Sequence, residues 1–320
     1  MDLILFFIIA VITIILSIKL SHYADMLDKG TKAKGFFIGG VLLAGVTSLP
    51  ELVTTLSSVS LNNPALAIGD IIGSIIYNFI IIVVLDLIFI RKRFMNKVSD
   101  KYVIVHLILI YIFVILIAYF KGELIGGIYN IGLPTIIIII CYLIYLLVVS
   151  RTKLSTSKPK TSNNKPAIII KFTLTSILMV IVSILLTINV NQISIIYSNF
   201  SASVIGAFLL GITTSLPETV SAYVLIRMGS YNLGYSNIVG SNMVDFLIIA
   251  LADFFVPSKI IYDFYDQDTL LLTYLGLAFC IILIYPIIRQ RSNFKITYLI
   301  PSLVILLIYL MFWFYLLLGN

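Results

Sequence analysis

The sequence predicts an all-α polytopic membrane protein of ten transmembrane helices, arranged as two inverted five-helix repeats. Three observations carry that prediction. Of 320 residues, 61% are apolar and only 11% charged, with a mean hydropathy of +1.14; soluble domains carry about 25% charged residues. The chain divides into ten apolar runs that meet the roughly 20 residues a helical span needs. A polar motif of the first half also returns in the second half, five spans later, and that odd number turns the second copy upside down.

The first run, near 2–21, opens on Met1-Asp2-Leu3, an acid where a signal peptide needs positive charge, and no small-residue cleavage site follows. It reads as a retained span. The second and third runs, near 35–60 and 65–90, carry the first copy of the motif. His106 lies in the fourth, near 101–120, with no acidic or Cys neighbour at ligand spacing, and reads as a packed residue. Cys141 lies in the fifth, near 125–150. Arg151 to Pro166, rich in Lys, Ser, Thr and Asn, reads as a flexible linker (151–166) between residues 1–150 and 167–320.

The sixth run, near 167–197, holds Lys171 close to its start, from where the side chain can snorkel. The seventh and eighth, near 201–227 and 231–256, carry the second copy. Cys280 lies in the ninth, near 268–288, and with Cys141 also in an apolar run no disulfide framework is expected. The tenth, near 296–318, bears Trp313, suited to an interfacial anchor. Asp86 and Asp253 sit near span ends, where they are expected to reach water. Asp263, Asp266 and Asp268 read as a solvated acidic loop.

Net charge is +7, and the basic residues cluster in short connectors, which excludes a nucleic-acid reading in favour of topology. The odd-numbered connectors hold 18 of the 21 Lys and Arg, whereas the even-numbered ones hold only Lys121 and Lys259. The positive-inside rule then sets both termini outside and the central linker in the cytoplasm. Alternation this regular also supports ten spans, since one missed span would scramble it.

Thr47-Ser48-Leu49-Pro50-Glu51 recurs as Thr214-Ser215-Leu216-Pro217-Glu218, displaced by 167 residues. At the same displacement Gly73-Ser74 returns as Gly240-Ser241, Asn78-Phe79 faces Asp245-Phe246, Ile38-Gly39 matches Ile205-Gly206, and Leu42-Leu43 matches Leu209-Leu210. Residues 47–79 give 11 identities in 33 ungapped pairs. Inverted repeats of this kind place substrate near the bilayer midplane, between broken helices.

Glu51, Glu218 and Asp245 all fall in the middle of apolar spans, where an acid costs roughly 2.5–3.5 kcal/mol on insertion scales. No basic residue lies deep in any span, so these carboxylates must share protons, line a wet cavity or be compensated by bound cations. Thr47/Glu51 and Ser74/Asn78 are spaced i, i+4, as are Thr214/Glu218 and Ser241/Asp245, which predicts shared helix faces rich in oxygen. Hard cations such as calcium take about 6–8 oxygen ligands. Pro50 and Pro217 free carbonyls one turn back, near Val46 and Thr213. Taken singly, each Ser or Thr reads equally well as helix-packing glue and each acid as protonated; the duplicated set favours cations.

At these residues the sequence resembles the cation/calcium antiporter superfamily, and within it the prokaryotic sodium/calcium exchangers. That family carries G-T-S-L-P-E on one helix and G-N-x-x-G-S-N-x-x-N/D on the next, in both inverted repeats. The resemblance implies a transporter rather than an enzyme, exchanging sodium for calcium within the lipid bilayer of the cell membrane, with no cofactor and no obligate protein partner. It implies that Glu51 and Glu218 are central calcium ligands that also serve sodium. Thr47, Ser48, Ser74, Thr214, Ser215 and Ser241 would line sodium sites with the carbonyls of Ala44 and Gly211, while Asn78 and Asp245 would complete the centre.

The sequence departs from the family pattern at Val46 and Thr213, where Gly is usual, and at Ile75 and Ser236. Asp70 stands where the family has Asn, a further acid that could lie at an ion entrance, take a proton, alter ion preference, or simply hydrogen-bond to a neighbouring helix. Three rivals stay open. A proton/calcium exchanger on the same fold would use Asp70 or Asp245 as its titrating group. A passive cation channel fits two inverted copies less well than alternating access does. An intramembrane aspartyl protease usually needs G-x-G-D, whereas Ala67-Ile68-Gly69-Asp70 lacks the first Gly.

Overall fold

The computed structural model describes residues 2–30, 35–124, 126–128, 130–151, 165–194, 211–257, 259–289 and 295–318. Most of the predicted linker, the start of the seventh predicted span (201–210) and the matched pairs Ile205-Gly206 and Leu209-Leu210 lie outside the described residues. The helices are α1 (Asp2–Gly30), α2 (Ile38–Thr47), α3 (Leu49–Ser60), α4 (Pro64–Ile88), α5 (Tyr102–Phe120), α6 (Leu133–Arg151), α7 (Lys165–Ser194), α8 (Gly211–Thr214), α9 (Leu216–Arg227), α10 (Tyr231–Asp253), α11 (Gln267–Arg289) and α12 (Lys295–Leu318). Among the described residues, seven helices are long and apolar enough to cross a membrane, and the bent pair α2–α3 makes eight. The predicted sixth and seventh spans are helical where described, over α7 and over α8–α9.

Two boundaries differ from the expectation. The fifth predicted span begins only at Leu133, because Gly127–Ile128 and Ile131–Gly132 pair as a two-residue antiparallel ladder, β1 and β2, around Asn130 with φ 67°. Gly126 and Gly127 make that stretch a poor helix start. The first helix runs on to Gly30, past the apolar stretch and into the polar residues that follow.

The centre of the bundle is α4 against α10. Within their most apolar windows 78% and 83% of residues are buried, against 33% in α1 and 22% in α12, which therefore form the rim. α5 and α11 pack together on one side, and α1 with α7 on the other. The crossing of α2 and α10 is close: a Cβ on Gly240 would run into the backbone of Gly40. Residues 38–43 of α2 form a π-helical turn, and the Tyr145 hydroxyl donates to the Gly40 carbonyl at 2.7 Å. Helix–helix packing through small residues is the usual device where lipid is as apolar as the helices themselves.

Asp86 and Asp253 do not reach water; both are buried. Asp86 accepts from the hydroxyls of Ser302 (2.7 Å) and Tyr298 at the start of α12. Asp253 accepts from Thr135 Oγ1, Gly132 N and Ile261 N, each at 2.7 Å. A buried carboxylate is costly without such donors around it, and all but Ile261 come from segments distant in sequence. His106 is packed as expected, with Nδ1 at 3.0 Å from the Tyr102 carbonyl and Nε2 at 3.2 Å from the Tyr235 hydroxyl. Cys141 and Cys280 are free and buried. Asp266 accepts from Thr269 N at 2.8 Å at the start of α11, and Asp263 accepts from the Tyr119 hydroxyl at 2.7 Å, so both loop acids have local structural bonds.

Candidate cation site

The helix carrying the first motif breaks at Ser48, whose φ −86° and ψ 10° leave the helical region, and α2 and α3 meet at 44°. Ser215 breaks the second copy with nearly the same backbone, φ −84° and ψ 10°. The cause is local. Pro50 and Pro217 stand in the first turn of the following helix, where their missing N–H costs nothing, so the sequence dictates a stop and a restart. Val46 in place of Gly does not prevent the break.

That bend changes one expectation. Thr47 and Glu51 lie on opposite sides of the break, so their i, i+4 spacing does not put them on one helix face. The Thr47 hydroxyl turns back to the Leu43 and Ala44 carbonyls at 3.1 and 3.2 Å. Thr214 behaves similarly, with Oγ1 at 3.4 Å from the Gly211 carbonyl. The Ala44 and Gly211 carbonyls also accept from Ser48 N (2.9 Å) and Ser215 N (3.3 Å), so a cation at either would displace a hydroxyl donor.

The two copies meet through their serines and glutamates. Ser48 Oγ donates to Glu218 Oε1 at 3.2 Å, and Ser215 Oγ donates to Glu51 Oε1 at 3.0 Å. Ser241 Oγ joins at 3.1 Å from Glu218 Oε1 and 3.0 Å from Ser48 Oγ. Ser74 Oγ lies 3.5 Å from the Gly211 carbonyl, and Asn78 Nδ2 lies 3.5 Å from Asp245 Oδ2. Glu51, Glu218, Asp245, Asn78, Thr47, Ser48, Ser74, Thr214, Ser215 and Ser241 are thus all buried within one cluster.

Sequence reasoning missed Asn242, whose Oδ1 accepts from Asn78 Nδ2 at 2.9 Å. It is the Asn of Gly240-Ser241-Asn242, which the first copy replaces with Ile75; comparing the two copies at that position would have found it.

Several oxygens of the cluster are buried without a partner: Glu51 Oε2, Glu218 Oε2, Asp245 Oδ1 and Asn78 Oδ1, along with both oxygens of Asp70. Among the described residues Asp70 therefore makes no hydrogen bond to a neighbouring helix. Among the described residues no three carboxylates, imidazoles or thiols come together closely enough to hold a metal unaided. Serine hydroxyls accompany the acids, Ser48 and Ser241 on Glu218 and Ser215 on Glu51. Hydroxyl, carboxamide and carbonyl oxygens must supply the rest of any coordination shell.

Inverted broken helices whose ends and carboxylates converge inside an apolar bundle define a multi-pass membrane transporter of small ions. The sodium/calcium exchanger protein family matches residues 2–151 and 168–318, and the chain belongs to that family. It is 25% identical over 224 residues to an uncharacterized membrane protein of Methanocaldococcus jannaschii, covering 69% of this chain and 71% of that one. Structures of the sodium-calcium exchanger NCX_Mj share the fold. One soaked with 10 mM Na+ and zero Ca2+ matches at 18% identity and TM-score 0.65, covering 95% of this chain and 98% of its own. Another, soaked with 2.5 mM Na+ and 0.1 mM Sr2+, gives 17% identity and TM-score 0.67 over the same shares.

Proposed function

We propose that this protein is a secondary antiporter that exchanges sodium for calcium by alternating access at a midplane site. The observation that carries this reading is the reciprocal pair Ser48–Glu218 and Ser215–Glu51, which joins the two copies through ligands of one chemistry. Glu51 and Glu218 bind calcium and sodium; Ser48, Ser74, Ser215, Ser241, Thr47 and Thr214, with the Ala44 and Gly211 carbonyls, serve sodium; Asn78 and Asp245 complete the centre. Carboxylates in an apolar bundle favour the ion-loaded states, and one divalent ion or several monovalent ions leave similar total charge. Exchange then proceeds at modest electrostatic cost.

Residues 1–150 and 167–320 act as two inverted repeats of five spans each. Family membership across both halves supports this, as does the 167-residue displacement. The loop charges support termini outside and the 151–166 linker in the cytoplasm.

Calcium uptake into proteoliposomes, driven by an outward sodium or an outward proton gradient, tests the reading. Sodium-driven uptake that is lost in Glu51→Gln and in Glu218→Gln is the expected result. Uptake driven only by protons would move the function to proton/calcium exchange on the same site. Wild-type flux in either variant would refute the ligand assignment.

A further inference from the structure

Helices α3 and α4 form a hairpin, so depth along both can be counted from its turn at about 1.5 Å per residue. Thr55 precedes Ser60 by five positions and Asp70 follows Pro64 by six, which sets both roughly 8 Å from the helix ends. Glu51 and Ser74 lie about 14 Å in. Thr55 is thus one turn outward of Glu51, and Asp70 one turn outward of Ser74, each on the same helix face as its partner.

Asp70 and Thr55 are both 0% exposed. Neither carboxylate oxygen of Asp70 nor the Thr55 hydroxyl has a hydrogen-bond partner among the described residues. Asp70 is close enough for its charge to be felt at Glu51 and Asp245. At the 167-residue displacement the second half offers Ala222 and Asn237 at these positions, a methyl and a neutral amide. A carboxylate therefore flanks the cluster on one side only; the other side carries the buried Asn237 amide and the Ser221 hydroxyl, which have no charge. The carboxylate side is the hairpin turn at Leu61–Asn63, at the end of α4 away from Arg91, Lys92 and Arg93, and hence the outer side by loop charge.

We propose that Asp70 and Thr55 form a cation subsite on the outer side of the central cluster, holding a partly hydrated hard cation in transit between outer water and the Glu51–Glu218 pair. The subsite rests on the antiport reading above. Two side chains supply at most three oxygens, well short of a full calcium shell, so water fills the remainder and the ion is held weakly enough to move on. The negative charge raises cation occupancy at the outer face and leaves the inner face, built on Asn237, without that help.

Exchange in oriented vesicles, with calcium varied on one face at a time, tests the proposal in wild type, Asp70→Asn, Asp70→Glu and Thr55→Val. Asp70→Asn is expected to raise the half-saturating calcium concentration on the outer face about tenfold, with the inner value and the maximal rate retained. Thr55→Val gives a smaller shift of the same sidedness, and Asp70→Glu restores most of the affinity. An unchanged outer value overturns the proposal. So does an equal shift on both faces, or loss of the maximal rate in folded protein, since either would assign Asp70 to the central cluster. If Asp70→Asn fails to fold, the sidedness of Thr55→Val decides. Absence of calcium exchange in wild type would instead remove the antiport reading, and the subsite with it.

Discussion

Asp86 and Asp253 make the same cross-chain clasp, each fastening its own half to the other half's last helix. Asp86, near the end of α4, accepts from Ser302 Oγ of α12; Asp253, at the end of α10, accepts from Thr135 Oγ1 of α6, both at 2.7 Å. The displacement from 86 to 253 is the same as that from 135 to 302. The repeat detected over 47–79 therefore extends in three dimensions to positions where side-chain identity has drifted from Thr to Ser.

Replacing Asp86 or Asp253 with Ala removes the shared acceptor in a buried site, at about 1–3 kcal/mol for each donor left unsatisfied. Both variants are expected to lower the unfolding temperature of detergent-solubilised protein by several degrees. Ser302→Ala and Thr135→Val should each cost less. Thermal unfolding followed by intrinsic fluorescence checks the order, and an Asp253→Ala protein as stable as wild type would contradict the clasp.

Ser48 bonds both Glu218 and Ser241, whereas Ser215 has Glu51 alone. Ser48→Ala should therefore weaken calcium binding more than Ser215→Ala: each loses one contact to a carboxylate, roughly tenfold at about 1–2 kcal/mol, and Ser48 also loses its contact with Ser241, a further few-fold. Calorimetric titration of calcium into purified protein gives both values.

Gly40 and Gly240 bring α2 and α10 into backbone contact, so a methyl group on Gly240 has no room. Gly240→Ala is expected to cost at least about 1–3 kcal/mol of overpacking and to reduce yield and exchange. Gly45→Ala, where nothing lies within 4 Å of an added Cβ, serves as the control and should remain active.

Asn242 orients Asn78, which otherwise has only the 3.5 Å approach to Asp245. Asn242→Ala is expected to slow exchange while leaving folding intact; Asn242→Ser, which keeps an acceptor, should retain more activity. Initial-rate flux separates the two.

Much of the site was legible in the sequence because acids and prolines in apolar spans are costly unless used, and a duplicated pattern of them is hard to explain by composition. Glu51, Glu218 and Asp245 stood out for that reason, and the two prolines located the breaks. The i, i+4 rule failed for Thr47 and Glu51 because it assumes a continuous helix, which Pro50 interrupts. Asn242 stayed hidden because an amide beside Ser241 carries no charge penalty to betray it.

Asp86 and Asp253 were misread for a related reason. Position near a span end gives depth along the helix, whereas burial depends on which neighbour covers the side chain. Sequence alone determined the membrane class, through transfer energies summed along the chain, and it pointed to the repeated motif, the loop-charge topology and the acids of the candidate site. Only the tertiary structure decided that serines of one copy serve glutamates of the other, and that α6 and α12 are clasped by the opposite halves. Those relations depend on how bent helices from distant parts of the chain cross, and the local spacing of residues does not encode that crossing.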